Sequence, residues 1–354
     1  MTDELLRTEG LTRHFRLGGL LGRHTLHAVD DVNLAIGRRE IVALVGESGS
    51  GKSTIARLLA MVYKPTAGEI YFENRPLSSL SSRSDQLEYR GNVPMVFQDP
   101  YSSINPAYRV SHGLIRGMKL HRPDLDHQRR TEEAERVLNA VGLVPADVVL
   151  AKFPYEMSGG QRQRVGFAQA LAYRPKLILA DEPVSMLDVS IRIGLLNVMS
   201  DLREREGVSI LYITHDIASA RYVADRVVVM YAGYVVEQGP TEEVLQRPQH
   251  PYTQLLLSAV PDPKAPVAVS GSSDASEPPK VIDPGEGCRF RPRCPYAVDE
   301  CAIATPRLRP MRSGHLAACH VAVPEVSFTT PLAPTTPAGE PAAPPPPAGA
   351  EAAW

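Results

Sequence analysis

The sequence predicts an α/β fold in which a mostly parallel sheet is covered by helices on both faces. Short apolar strand patterns alternate with helical patterns through residues 1–260, which is typical of parallel sheets. The apolar run Ile41–Val45 also leads into a glycine-rich turn and then into an apolar-periodic helix. Further strands are predicted over residues 68–72, 93–97, 177–180, 209–214, 227–231 and 234–239, and helices over 52–61, 104–172, 190–206 and 217–224.

The composition is that of a globular protein with no general affinity for polyanions. Of the 354 residues, 43% are hydrophobic and 22% are charged, and the net charge is −2. A near-neutral chain has no overall attraction to nucleic acid or to an anionic membrane surface. No apolar run reaches the roughly 18 residues of a membrane span, and the acidic start MTDELLRTEG lacks the apolar core of a secretory signal. We therefore expect a cytosolic chain that does not cross a membrane.

A phosphate-binding loop is predicted at GESGSGKST, Gly46–Thr54, which fits the pattern G-x-x-x-x-G-K-[ST] between a strand and a helix. Glycines let backbone N–H groups turn towards phosphate oxygens, and the helix N-terminus adds a favourable dipole. Lys52 is expected to meet the β- and γ-phosphates of a nucleotide, and Ser53 to hold Mg²⁺. The predicted nucleotide-binding residues of this loop are Gly46, Ser48, Gly49, Ser50, Gly51, Lys52, Ser53 and Thr54.

A pair of acidic residues follows the apolar strand pattern of KLILADEP. Leu177–Ala180 predicts a buried strand, and Asp181 and Glu182 come at its carboxyl end, where open α/β sheets bind their ligands. We expect Asp181 to belong to the Mg²⁺ shell and Glu182 to polarise the attacking water. The alternative is a solvated strand end, but a phosphate loop in the same chain favours the functional interpretation.

Between these two motifs lies the segment MSGGQRQRVGFAQAL, Met157–Leu171. It resembles the signature segment of ATP-binding cassette (ABC) ATPases, usually written L-S-G-G-Q, with Met157 in place of the usual Leu. The resemblance covers nearly all of residues 3–260, with every motif in the family's order. It implies a P-loop ABC ATPase cassette with a RecA-like core and a helical subdomain at about 99–172, so that residues 1–260 form one nucleotide-binding domain. As an alternative, the Ser-Gly-Gly sequence could simply cap a helix.

The same resemblance implies roles for further residues. Gln98 in MVFQDP would help to hold Mg²⁺ and position water, and His215 in YITHD would contact the γ-phosphate. Together with Glu182 they are the catalytic candidates. Phe15 in LTRHF would stack on adenine. Two cassettes would pair head to tail around ATP, with the interface formed by Ser158, Gly159, Gly160, Gln161 and Asp188.

Three segments are similar to one branch of the ABC family, the importers of oligopeptides and dipeptides. They are MVFQDPYSSINP, residues 95–106, LADEPVSMLDVSI, residues 179–191, and RPQHPYTQLLLSAVP, residues 247–261. The resemblance implies two integral-membrane permease subunits, whose coupling helix would meet residues 99–120. It also implies a second ATPase subunit, expected to be a related but different cassette, an extracytoplasmic substrate-binding protein, and a location on the cytoplasmic face of the inner membrane.

Two other functions stay open for such a cassette. The first keeps the import role and changes the cargo to oligosaccharides or nickel. The second is a soluble ABC ATPase that acts on nucleic acid or ribosomes, which the lack of net positive charge weakens. No nucleic-acid partner is therefore expected.

The four cysteines of the chain all lie near its C-terminus. Residues 261–280 are predicted to be a flexible linker, 281–325 a small cysteine-rich extension, and 326–354 a disordered tail rich in Pro and Ala. Five residues separate Cys288 from Cys294, and six separate Cys294 from Cys301, before a longer gap to Cys319. In a cytosolic chain, clustered thiols bind metal more often than they form disulfides.

In the peptide-importer branch, a cysteine motif like this one is associated with a [4Fe–4S] cluster, so the resemblance implies cluster ligation by Cys288, Cys294, Cys301 and Cys319. Four thiolates can ligate one such cluster. Its negative charge would be offset by Arg289, Arg291, Arg293, Arg307, Arg309 and Arg312. Zinc is the first alternative, with His315 and His320 as substitute ligands, although the paired C-x-x-C spacing of zinc ribbons is absent. Unligated thiols are the second.

Overall fold

The fold is built on a central sheet, and the carboxyl ends of its parallel strands lie next to the candidate site. The structure is a computed structural model, and the residues that it describes are 4–18, 24–99, 104–259, 281–312 and 314–322. The predicted linker over 261–280 and the predicted tail over 326–354 lie outside the described residues. Among the described helices, none is both long enough and apolar enough to span a membrane.

Strands and helices alternate after an N-terminal group of strands. The strands are β1 Glu4–Leu17, β2 His24–Val32, β3 Ala35–Gly37, β4 Ile41–Val45, β5 Ala67–Phe72, β6 Arg75–Pro76, β7 Met95–Val96, β8 Leu177–Asp181, β9 Ser209–Thr214, β10 Arg226–Tyr231, β11 Tyr234–Pro240, β12 Arg309–Arg312 and β13 His315–Ala317. The α-helices are α1 Lys52–Leu59, α2 Arg83–Asn92, α3 Val110–His121, α4 His127–Ala140, α5 Ala146–Ala151, α6 Gly159–Leu171, α7 Val189–Glu206, α8 Ile217–Val223, α9 Thr241–Gln246, α10 Pro251–Ser258 and α11 Glu300–Ile303.

The central sheet has eight strands in the order β12-β13-β11-β10-β4-β9-β8-β7. The five strands from β10 to β7 are parallel, and β11, β13 and β12 continue the sheet with antiparallel pairing. Every residue of β4, β8 and β9 is buried, because helices cover both faces of the parallel part. The predicted α/β fold is confirmed.

A second sheet, which the sequence did not predict, is formed by the first strands of the chain. It has the order β2-β1-β5-β6, with β3 also paired to β1, and all its pairs are antiparallel. Burial along β1 and β2 is mixed, because these strands are only partly covered. Such strands lack the continuous apolar run by which the buried parallel strands were found.

A layer of four helices, α3 to α6, is inserted in the chain between β7 and β8. In α3, the side chains of Val110, Leu114 and Met118 are fully buried, and their spacing of four residues places them on one helix face. They pack into the same core as Phe167 of α6. These helices occupy the segment that was predicted to be a helical subdomain.

The cysteine-rich segment is attached to the central sheet rather than standing apart from it. β13 pairs with β11, and a hydrogen bond of 2.7 Å joins His315 Nε2 to Glu237 Oε1, both fully buried. The ring of Phe290 lies buried beside the rings of Tyr231 and Tyr252, with centroids 5.2 and 5.6 Å away. Apolar contact and strand pairing therefore fix this segment next to the nucleotide loop.

Candidate nucleotide-binding and hydrolysis site

The predicted phosphate loop connects β4 to α1. At two of its positions, only glycine can be accommodated. A Cβ atom on Gly46 would lie 2.2 Å from the carbonyl oxygen of Met230. Gly51 has a φ of 105°, and a Cβ there would lie 2.3 Å from the carbonyl oxygen of Ala28. The backbones of neighbouring strands thus lie too close to the loop for a Cβ atom, so these two positions require glycine.

Lys52 points back into the loop from the start of α1. Its side chain is buried, and Nζ donates hydrogen bonds to the carbonyl oxygens of Gly46 at 2.7 Å and Glu47 at 2.8 Å. Burial lowers the pKa of Lys52, and the carboxylates of Glu182, Asp181 and Glu47 oppose that shift. The ammonium group is therefore held inside the loop, where it can meet phosphate oxygens.

The candidate Mg²⁺ ligands are already in contact. Ser53 Oγ donates a hydrogen bond of 2.9 Å to Asp181 Oδ1, which joins the first turn of α1 to the end of β8. Burial raises the pKa of Asp181, while the hydrogen bond from Ser53 lowers it. A hydroxyl and a carboxylate are hard oxygen donors of the kind that Mg²⁺ prefers, so these residues fit the ion.

The three catalytic candidates meet at the carboxyl ends of β7, β8 and β9. Gln98 Nε2 donates to Glu182 Oε2 at 3.2 Å, and His215 Nδ1 lies 3.3 Å from the same oxygen. The backbone of Glu182 has a φ of 47°, and its N–H is held by the carbonyl oxygen of Ile213 at 2.9 Å. A non-glycine residue in this left-handed region is strained, and such strain is common where a side chain must be aimed at a site.

A cavity of about 720 Å³ joins these residues to the predicted adenine side. Its lining includes Phe15 of β1, Thr54 of α1, Gln98 and Glu182. The rings of Phe15 and Tyr63 pack in a T-shaped arrangement, with centroids 5.4 Å apart. The structure therefore places the loop, the candidate base and the candidate adenine platform around one cavity large enough for a small ligand.

The signature segment is not part of this cavity. Ser158 caps α6 by accepting a hydrogen bond from the Gln161 N–H at 3.2 Å, and the Gln161 side chain accepts one from the Ser158 N–H at 3.1 Å. Among the described lining residues, none comes from the signature or from Asp188, and both Ser158 and Asp188 are exposed. The single chain therefore shows Ser158 as a helix cap. A role of the signature segment in a cassette interface would require a second chain.

Sequence reasoning missed a contact between the cysteine-rich segment and the phosphate loop. Arg293 makes a two-pronged ion pair with Glu47, a residue of the loop, with N–O distances of 2.9 and 3.1 Å. The hydroxyl of Tyr252 accepts a hydrogen bond of 2.8 Å from the Glu47 N–H. The carboxylate of Glu47 raises the pKa of Arg293, so the pair stays charged. The spacing of the cysteines gives no signal for this contact, because it depends on how the segment docks.

The four cysteines are free thiols gathered at this docked segment. Cys301 and Cys319 are buried, Cys288 and Cys294 are half-buried, and the Cys288 N–H donates to the Cys301 carbonyl oxygen at 2.8 Å. Burial raises the pKa of Cys288 and Cys319 and brings that of Cys294 to about 11, with the other thiols adding to the shift. Among the described residues, no three cysteine sulfurs form a donor group within 4.8 Å.

The fold and the cavity define a P-loop nucleotide-binding protein. A family model described as "ABC transporter" matches residues 29–185, and one described as "Oligopeptide/dipeptide transporter, C-terminal region" matches residues 236–301. The chain belongs to the ABC transporter ATP-binding family.

Relatives and solved structures agree with this membership. A protein of Brucella ovis named for peptide import and ATP binding is 41% identical over 315 residues, which cover 89% of this chain and 97% of that protein. The oligopeptide transport ATP-binding protein AppF of Bacillus subtilis is 38% identical over 324 residues, covering 90% and 98%. The dimeric ATP-binding cassette MJ0796 with ADP and Pi is 28% identical, with a TM-score of 0.59 and coverage of 67% of this chain and 98% of that one.

Proposed function

We propose that the chain is the ATP-hydrolysing subunit of an ABC importer for oligopeptides or dipeptides. The observation that carries the ATPase function is the meeting of Gln98 and His215 on one carboxylate oxygen of Glu182, beside the phosphate loop. The cargo class is supported by the relatives named for peptide import and by the match over residues 236–301.

The chain's own residues account for the steps of hydrolysis. Lys52 and the loop N–H groups would hold the phosphates, and Ser53 with Asp181 would hold Mg²⁺, which would supply positive charge beside the phosphates. Glu182 accepts a proton from the attacking water. Gln98 and His215 keep its carboxylate oriented through the contacts described above. Positioning and charge stabilisation supply most of the rate.

The exposed signature surface would complete the site of a second cassette. Ser158 and its glycines offer a hydroxyl and backbone N–H groups at a helix N-terminus, which suits the phosphates of a nucleotide bound to the partner. ATP would then close a head-to-tail pair, and hydrolysis would reopen it. We propose that the second cassette is a related but different chain.

The closing and reopening of the cassette pair would drive a separate pair of permease subunits, contacted on the cytoplasmic face of the inner membrane. Two aromatic side chains are exposed here: Phe97, just before the segment predicted to receive the coupling helix, and Tyr108, within it, each with 47% of its surface accessible. Exposed aromatic side chains of this kind suit a protein contact. An extracytoplasmic binding protein would deliver the peptide to the permease.

Uptake by cells tests the cargo. We expect a strain without this chain to lose uptake of labelled di- and oligopeptides, and to regain it with the wild-type chain but not with Glu182→Gln. Normal peptide uptake together with lost nickel or oligosaccharide uptake would exclude the peptide cargo.

Purification from membranes in mild detergent should retain two permease subunits and a second cassette. Recovery with ribosomes or RNA instead would support the soluble alternative.

We further propose that Cys288, Cys294, Cys301 and Cys319 hold a [4Fe–4S] cluster, with zinc as the alternative. The support is the gathering of four free thiols in one docked segment. A cluster would cross-link residues 288–319 through four thiolates. The ATP cavity has no cysteine among its described lining residues, so the proposed role is structural or regulatory.

Metal analysis separates the two candidates. We expect the anaerobically purified chain to be brown, to contain about four iron atoms per chain and to lack zinc. Cys301→Ser removes the most buried candidate ligand and should lose most of the iron, whereas Ser258→Ala, far along the chain from the cysteines, should keep it. One zinc per chain, or no metal, would overturn the cluster and leave the ATPase proposal standing.

A further inference from the structure

Three side chains on the β1–β2 pair form a compact donor group to which neither ATP hydrolysis nor the cysteine motif assigns a role. They are His14, His27 and Asp30, and their ligand atoms all lie within 4.8 Å of one another. In the part of the chain that the structure describes, this is the one group of three His, Cys, Asp or Glu residues that meets this spacing. No sequence motif predicted this group, because the three residues come from two different strands.

Strand pairing brings the two imidazoles together. His14 of β1 lies directly opposite His27 of β2 in the antiparallel register, next to an irregularity between Arg13 and His14. Their rings are in contact in a tilted arrangement, with centroids 3.8 Å apart and planes at 31° to each other. A directly opposed cross-strand pair is held by the backbone of both strands, so the two rings are positioned before any ligand arrives.

Asp30 completes the group from the end of β2. Its carboxylate accepts a hydrogen bond from His14 through Oδ1, and its Oδ2 lies 3.1 Å from His27 Nδ1. Arg289 of the cysteine-rich segment donates to the same Oδ2 and to the carbonyl oxygen of Ala232.

We propose that His14, His27 and Asp30 bind a divalent transition metal ion such as Zn²⁺, Co²⁺ or Ni²⁺. Two imidazole nitrogens and one carboxylate oxygen are a donor set that these ions favour, whereas Mg²⁺ and Ca²⁺ prefer oxygen ligands throughout. About a quarter of each imidazole side chain is exposed, 26% for His14 and 24% for His27, which leaves an entry path and room for water ligands.

Arg289 is expected to weaken the affinity of this site for a metal ion. Its hydrogen bond orients the Asp30 carboxylate, but its positive charge repels the positive ion. The hydrogen bond between His14 and Asp30 must open for an ion to enter, since both atoms become ligands. We therefore expect reversible binding that is weaker than in a closed four-ligand zinc site.

The proposed ion would lie at the edge of the nucleotide cavity. His27 is one of the residues that line that cavity, and His14 immediately precedes Phe15, the candidate adenine platform. Any effect of the ion on nucleotide affinity must be matched by an equal effect of the nucleotide on the affinity for the ion.

Titration with Co²⁺ tests the site on the full chain. The comparison uses the wild type, His14→Gln, His27→Gln, and the matched control His24→Ala, which removes an exposed histidine of the same strand that pairs with Asp283. We expect the wild type and the control to bind one more Co²⁺ than either glutamine variant. The added ion should show visible absorption without thiolate charge-transfer bands, and Zn²⁺ should displace it.

Thermal unfolding supplies a second readout that also checks folding. We expect Co²⁺ to raise the Tm of the wild type and of His24→Ala, and to leave that of His14→Gln and His27→Gln unchanged. Equal Co²⁺ binding in all four chains, or thiolate bands from the extra ion that the glutamine variants lack, would place that ion elsewhere and overturn the proposal. A wild type that binds no Co²⁺ outside the cysteines would overturn it as well, leaving the three residues as a hydrogen-bonded contact for Arg289.

Discussion

Replacing Glu182 by glutamine is expected to lower kcat for ATP hydrolysis by about 100- to 1,000-fold, with ATP binding nearly unchanged. The glutamine side chain has the same shape and can still meet Gln98, which lies 3.2 Å from Glu182 Oε2. It cannot accept a proton from the attacking water. The loss should therefore fall on the chemical step and leave the ground-state complex intact.

Separate measurements of kcat and of ATP affinity check this expectation. The matched control is Glu204→Gln, which changes an exposed carboxylate near the end of α7. It should hydrolyse ATP at the wild-type rate. If Glu182→Gln bound ATP normally and also hydrolysed it at that rate, Glu182 would not be the general base.

Replacing Lys52 by alanine is expected to weaken ATP binding by about 30- to 100-fold. The ammonium donates to two loop carbonyl oxygens at 2.7 and 2.8 Å and is buried at the start of α1. Its loss removes charge-assisted hydrogen bonds to phosphate, each worth about 1.5–3 kcal/mol, and takes the Lys52 donor away from the Gly46 carbonyl oxygen.

Equilibrium binding of a fluorescent ATP analogue measures this effect, and the unfolding temperature reports whether the loop still folds. Lys119→Ala, on the exposed surface of α3, is the control and should bind as the wild type does. An unchanged affinity in a folded Lys52→Ala chain would mean that the phosphates lie elsewhere.

The nucleotide site could be predicted largely because its parts are local. The loop Gly46–Thr54 is one continuous segment, and Asp181, Glu182 and His215 each follow a buried apolar strand. Once parallel pairing is assumed, the carboxyl ends of such strands must meet at one edge of the sheet. The observed contacts of Gln98 and His215 with Glu182 agree with that expectation.

The N-terminal sheet could not be predicted in the same way. β1 runs over Glu4–Leu17 with charged and polar residues among its apolar ones, and its mixed burial hides the strand pattern. Pairing with β5, far along the chain, supports it. Non-local pairing of this kind leaves little trace in a local window of sequence.

The sequence by itself determined the class of chemistry, through the phosphate loop and the acidic pair after Leu177–Ala180. Only the tertiary structure decided where the cysteine-rich segment lies, with Arg293 on Glu47 of the loop and Arg289 on Asp30. The reason is physical: motifs record the local requirements of backbone and ligand, whereas ion pairs between residues more than 200 positions apart form only when packing brings the two surfaces together.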